Sequence, residues 1–179
     1  MENRIVQMNV FEGIVNRNFN KSFFDKVYDY SSPVAIKYTN RITPDKSWMK
    51  DFDYRAHWEK IYKEEVDMQD GFFIEGYEIH GNERVPVGYF VANIQDKTLT
   101  SNVALSAERK HSKMPIVTDL GMWRGLMNVT RRLGCNEFVW ETDRHGRIWK
   151  ALHIIANRLD NEILFKEGDP YSEMRIKVS

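Results

Sequence analysis

The segment that decides the fold runs from Leu99 to Thr142, LTSNVALSAERKHSKMPIVTDLGMWRGLMNVTRRLGCNEFVWET. At its start Leu99, Ser101, Val103 and Leu105 occupy every second position, the period of a strand with one face buried. A basic loop, ERKHSKMP at 108–115, follows. Ile116, Leu120, Trp123, Met127, Thr130 and Leu133 then recur at three- and four-residue spacing, and Gly134 stands where a helix with that stripe would end. Glu137 to Thr142 resumes strand character, with Phe138 and Trp140 on one face. A strand, a helix and a second strand in this order imply a right-handed crossover that leaves the two strands parallel.

Working toward the N-terminus, Asp96-Lys97 turns the chain back into a hairpin. Its strands are Gly71 to His80 and Val85 to Ile94, joined at Gly81-Asn82, with Pro86 expected at an edge or a bulge because it brings no ladder donor. Asp53 to Asp67 is a helix with Tyr54, Trp58, Ile61, Tyr62 and Val66 on its apolar stripe. Residues 33–50 read as a loop with some extended structure. Ser22 is expected to cap a short helix bearing Phe23, Phe24, Val27 and Tyr28, which ends at Ser31-Ser32-Pro33. Val6, Met8 and Val10 alternate as a first strand that stops before Gly13. Past Thr142, a helix over His145 to Leu159 leads to strands at Ile163–Phe165 and Met174–Val178 around the turn Gly168-Asp169-Pro170. The expected order is β-α-α-β-β-β-α-β-α-β-β, an α/β (α+β) fold in which about four helices flank one mixed, largely antiparallel sheet.

The 179 residues carry 26 Lys+Arg and 26 Asp+Glu. A chain of this length buries ~70% of its unfolded surface, so one domain spanning 1–179 is expected. No apolar run reaches the ~18 residues of a membrane span, and MENRIVQMNVFEG lacks a signal-peptide apolar region. One cysteine, Cys135, and five histidines without metal-ligand spacing complete the picture of a soluble, cytoplasmic, metal-free protein. The neutral charge is unevenly distributed. Residues 107–150 hold nine basic and five acidic side chains, leaving the remainder at −4, with acidity concentrated in DFDYRAHWEKIYKEEVDMQD at 51–70.

The element order resembles the GNAT superfamily of N-acetyltransferases, with local echoes. IHGNERVPVGYFVAN at 79–93 looks like the family's turn and Val-Gly-aromatic strand, and VALSAERKH at 103–111 like the end of the fourth strand and the basic entry to a pyrophosphate loop. TRRLGCNEFVWETD at 130–143 has the character of helix, glycine, fifth strand and splayed, bulged exit. The resemblance implies that acetyl-CoA is held by backbone N–H groups and by the positive end of the helix after the fourth strand. The family's glycine-rich loop is degenerate here. Arg109, Lys110 and Lys113 would bring charge to the phosphates, Gly121 would fill a glycine position, and Val103, Leu105 and Asp143 would border the cofactor.

The same resemblance implies a carboxylate that takes the amine's proton and an acid that protonates the departing thiolate. Glu141, placed at the bulge, is the expected base, with Glu75, Glu78 and Glu108 as further carboxylates. Trp149-Lys150 stands where the family usually has a tyrosine, so Lys150 and Tyr171, the latter in the final turn, are the expected acids. Trp58, Trp123, Trp140 and Trp149 are expected in the core or at an interface and Cys135 buried, and His145 reads as a first-turn residue. Two functions follow. One is an acetyl-CoA-dependent N-acetyltransferase acting on an amine. The other is a catalytically inactive, bacteriophage GNAT-like virion or host-interaction protein that works through contacts with other protein subunits. Nucleic acid is not an expected partner of a neutral chain without a binding motif.

Overall fold

A computed structural model describes residues 10–42, 51–106, 120–143, 147–169 and 171–178. Seven strands form one sheet: β1 (Val10–Asn16), β2 (Phe72–His80), β3 (Glu83–Gln95), β4 (Thr98–Ser106), β5 (Glu137–Asp143), β6 (Ile163–Lys166) and β7 (Tyr171–Lys177). Their spatial order is β1-β2-β3-β4-β5-β7-β6. The β4–β5 pair is parallel and the other neighbours are antiparallel, as the crossover at 99–142 requires. Helices α1 (Lys21–Ile42) and α2 (Tyr54–Met68) pack on one face. Helices α3 (Leu120–Arg132) and α4 (Arg147–Ala156) pack on the other. Among the described residues no helix is long and apolar enough to cross a membrane.

The α1/α2 face is built from rings. Phe23, Phe24, Tyr28, Trp58 and Tyr62 of the helices meet Phe73 and Tyr89 of the sheet, with Tyr62 stacked on Tyr89 at 5.2 Å between centroids. The opposite face buries Trp123, Leu126 and Met127 of α3 and Leu152 and Ile155 of α4 against Ile74, Phe90, Leu99, Phe138 and Trp140. All four tryptophans expected in the core, Trp58, Trp123, Trp140 and Trp149, are buried. Helix α3 ends as anticipated. Gly134 takes φ +74°, its N–H bonds the Arg131 carbonyl, and the Cys135 N–H bonds that of Thr130. Cys135 is buried, which raises the pKa of its thiol.

Five expectations change. First, α1 does not stop at Pro33; it continues to Ile42, so 33–42 is helix rather than loop, and 43–50 lie outside the described residues. The buried face continues at four-residue spacing through Ser31, Ala35 and Thr39, and Trp58 Nε1 of α2 donates to Thr39 Oγ1 at 3.1 Å. Pro33 sits on the exposed side, where it deprives only the turn at exposed Asp29 of a donor. Tertiary packing outweighs that local loss. Replacing Pro33 by alanine is therefore expected to raise stability by ~1–2 kcal/mol, read as a higher Tm in calorimetry, because the helix regains a bond that no packing contact opposes.

Second, the cap of α1 is Asn20 rather than Ser22: Asn20 Oδ1 accepts from the Phe23 N–H at 3.0 Å. Third, β1 runs through Gly13 to Asn16 instead of ending before it, while 1–9 lie outside the described residues. Gly13 is there for proximity, since a Cβ on it would stand 2.5 Å from Val129 Cγ2 of α3. Fourth, β7 begins at Tyr171, three residues earlier than expected, which moves Tyr171 from a turn into a strand.

Fifth, the four alternating residues of β4 do not share a face. Against β3 the register jumps between Val91↔Val103 and Ala92↔Ser101, so Asn102 is an extra residue. A single bulged residue inverts the alternation beyond it. Leu99 packs on the α3/α4 side, whereas Val103 and Leu105 pack on the α1/α2 side. A second bulge, at Val87 of β3, lies beside Pro86, the placement expected for that proline.

Candidate functional site

Among the described residues, the neighbouring strands β4 and β5 pair over only part of their length. β4 and β5 pair only from Thr98↔Glu137 to Ser101↔Trp140. Beyond that, β4 stays with β3 as far as Gly88↔Ser106, and β5 stays with β7 as far as Asp143↔Tyr171. Each strand keeps its outer partner while the two inner edges part, leaving residues 102–106 and 141–143 facing an opening in the ladder. The bulge that accompanies this branch is on β4, at Asn102; β5 holds an unbroken register against β7, so Glu141 stands at the branch and not at a bulge.

Side chains at the branch divide by face. Trp140 points to the α3/α4 side, where its ring meets Trp123 of α3 edge-on at 5.3 Å and Phe90 at 6.1 Å. Trp123 lies in the first turn and a half of α3, so that helix begins beside the branch. Glu141 lies on the α1/α2 side, half-buried, directly across from Glu173 of β7. Burial raises its carboxyl pKa, Glu173 and, more weakly, Glu65 of α2 push the same way, and Arg175 pulls it down. Arg175 is largely committed elsewhere: Nε donates to Glu173 Oε2 at 3.0 Å and Nη1 to Glu137 Oε2 at 2.7 Å.

Tyr171, exposed, pairs with Asp143, two positions along β7 from Glu173. That places it diagonally from Glu141 on the same face, about 7–8 Å away in an antiparallel ladder. Lys150 is exposed on α4, in the helical layer on the other side of the sheet, and is not brought together with Glu141. Val103 and Leu105 occupy the open half of β4 on the α1/α2 side. Gly121 is the second residue of α3. Glu108, Arg109, Lys110, Lys113 and His145 lie outside the described residues.

Two features escaped the sequence reading. The open half of β4 lies under α2 at Tyr62, whose buried hydroxyl donates to the carbonyl of Tyr89, the β3 residue paired with Leu105; burial raises its pKa well above the usual tyrosine value. Periodicity shows only that Tyr62 belongs to a buried stripe, not what its hydroxyl holds. Glu173 was also missed, because a strand begun at Met174 leaves it in a turn.

The other candidate carboxylates have partners of their own. Glu75, buried on β2, accepts from Asn16 Nδ2 at 3.2 Å, Asn20 Nδ2 at 2.9 Å and the Tyr77 hydroxyl at 3.0 Å. Burial and that bond push the Tyr77 pKa up to about 12. The network joins the β1–α1 connection to the sheet. Glu78, buried two residues from Tyr77's neighbour Gly76, has His80 Nε2 at 3.6 Å from Oε1. Among the described residues no group of three or more His, Cys, Asp or Glu is placed to hold a metal ion.

No protein-family model matches the sequence, and no curated protein does. Solved structures do match the fold. The PaiA N-acetyltransferase of Thermoplasma acidophilum, in complex with coenzyme A, aligns over 93% of this chain and 98% of its own, with a TM-score of 0.54 and 10% identity. Aminoglycoside 6'-acetyltransferase type Ii aligns over 93% and 97%, with a TM-score of 0.54 and 12% identity. The ribosomal-protein-S18-alanine N-acetyltransferase of Escherichia coli aligns over 93% and 94%, with a TM-score of 0.51 and 7% identity. At such identities the likeness establishes the fold alone: the chain has a GNAT-like α/β fold.

Proposed function

We propose that this chain is an acetyl-CoA-dependent N-acetyltransferase that acts on an amine. The observation that carries the reading is the branch between β4 and β5, open beyond Ser101 and Trp140, with the start of α3 beside it. That the like-folded PaiA enzyme was solved with coenzyme A supports the same choice of cofactor. The residues present fit such a group. A slender thioester arm can lie between strands that each keep an outer partner, and the positive end of a helix dipole favours phosphate. Val103, Leu105 and Asp143 would border the arm. Gly121, in the first turn of α3, and the charges of Arg109, Lys110 and Lys113 would serve the phosphates.

Acetyl-CoA supplies, when bound, an acetyl thioester open to attack by an amine. Glu141 accepts the amine's proton as the carbon–nitrogen bond forms. Burial raises its pKa, which makes the carboxylate a stronger base than an exposed one. Tyr171 returns a proton to the sulfur as the carbon–sulfur bond breaks. It is preferred over Lys150 because it shares the face of Glu141. The acidic trio of Glu65, Glu141 and Glu173 on that face suits the approach of a cationic amine.

A thermal shift tests the reading. Acetyl-CoA at about 100 times its dissociation constant adds roughly 2.7 kcal/mol, a rise in Tm of ~5–10 °C for a chain of this size. An unchanged Tm at millimolar acetyl-CoA would sink the enzyme and favour an inactive, contact-making role.

A further inference from the structure

Among the described residues, one buried side-chain polar atom has no hydrogen-bond partner, the indole nitrogen Nε1 of Trp140. The other buried polar side chains around the sheet are engaged. Trp58 Nε1 donates to Thr39, the Tyr62 hydroxyl to the Tyr89 carbonyl, and Ser101 Oγ to the Val91 carbonyl at 3.0 Å. An orphaned N–H costs free energy that an all-carbon aromatic ring would not incur. The ring is not at liberty to turn outward for water, being 8% exposed and wedged against Trp123 and Phe90 in edge-to-face contacts.

Its position is as informative as its isolation. Trp140 is half of the last β4–β5 pair, opposite Ser101, so the unsatisfied donor belongs to the residue at which the two strands part. Its neighbours are Phe90, Trp123 and Phe138, an apolar setting in which an anionic phosphate would lose its hydration without compensation. A neutral carbonyl oxygen suits a neutral donor there. It would have to arrive through the opening in the ladder, since the nitrogen is closed to solvent in this structure.

We infer that Trp140 Nε1 is a hydrogen-bond donor held for a carbonyl oxygen of the thioester arm of acetyl-CoA at the β4–β5 branch. The inference rests on the proposed cofactor. It makes Trp140 a binding residue: the bond is unmade in the free protein, and making it adds to the affinity for the ligand.

The test uses the intact chain, with acetyl-CoA and free CoA as probes. In a nitrogen-15 correlation spectrum, the indole proton of Trp140, assigned through its own backbone amide, is expected to move downfield as acetyl-CoA saturates the protein. In calorimetric titration Trp140→Phe is expected to weaken binding about tenfold, the loss of one neutral hydrogen bond. A loss for both probes supports an amide carbonyl as the acceptor; a loss confined to acetyl-CoA supports the thioester carbonyl. The spectrum needs no variant, so a Trp140→Phe protein that fails to fold leaves the measurement standing. Saturable binding with an unmoved indole resonance overturns the inference and leaves the acetyltransferase reading intact. A wild-type protein that binds neither probe overturns both.

Discussion

Gly125→Ala is expected to lower Tm by ~6–12 °C, the shift that corresponds to about 3 kcal/mol in a chain of this length. A Cβ at this position in the middle of α3 would stand 2.1 Å from Phe11 Cδ1 and 2.9 Å from the Phe11 carbonyl oxygen. The first contact belongs to a ring and the second to backbone. The ring has little room, because its far edge already lies 2.5 Å from where a Cβ on Gly76 would be. Phe11 is therefore clamped between glycines on α3 and β2, and α3 can separate from β1 only by also straining Arg132, whose guanidinium donates to the Gly13 carbonyl at 2.6 Å. Differential scanning calorimetry reads the loss. Phe11→Leu, which removes ring edge from the clash, should make the double variant less destabilised than the sum of the two single ones. Simple additivity would show that the close approach is not what Gly125 is for.

Glu141→Gln is expected to lower kcat/KM for acetyl transfer by ~10²–10⁴, the usual worth of a positioned general base, while raising Tm near neutral pH. The two effects share one cause. A carboxylate whose pKa is raised in the folded state gives its full stability below the pKa of the unfolded chain, and that stability is lost as pH rises through the folded value. Once ionised, the group, half-buried and opposite Glu173, opposes folding; glutamine does not. Catalysis has the reverse dependence. A base works only when deprotonated, so the wild-type rate should climb with pH through the raised pKa of Glu141 and the variant should lose that limb. Stability curves at several pH values, paired with rate profiles, check both signs. A variant that is active, or one destabilised at neutral pH, would remove Glu141 from the role.

Much of this architecture was legible beforehand, for identifiable reasons. Where one face of an element packs on a single layer, periodicity reports it faithfully, as in the apolar stripes of α2 and α3, and the hairpin turn at Gly81-Asn82 is written in its own residues. The turn at Asp96-Lys97 is equally local, both residues taking positive φ. The errors lie where a distant partner overrides a local signal. Pro33 ends a helix in isolation, but Trp58 of α2 rewards its continuation. Gly13 reads as a terminator until Val129 is seen above it. Asn102 could not be found by counting alternate residues, because a bulge is a mismatch between two strands and is written in neither alone. The site follows the same rule. Glu141 can be picked out as a candidate from its own stretch of chain, but its position opposite Glu173 and the diagonal placement of Tyr171 depend on the β5–β7 register.

The extra residue in β4 also changes which part of the protein bears a load at the branch. In a regular strand, a push on the free edge would spread equally into the layers above and below. Here the strand changes phase at Asn102, and the side chains of its open half, Val103 and Leu105, pack upward against the α1/α2 layer. Force applied to that edge of β4 passes to α2. Force applied to the facing edge of β5 passes through Trp140 to α3. The two sides of the opening are thus backed by separate helical layers, that of β4 by α1 and α2 and that of β5, through Trp140, by α3, and they meet at Ser101 and Trp140.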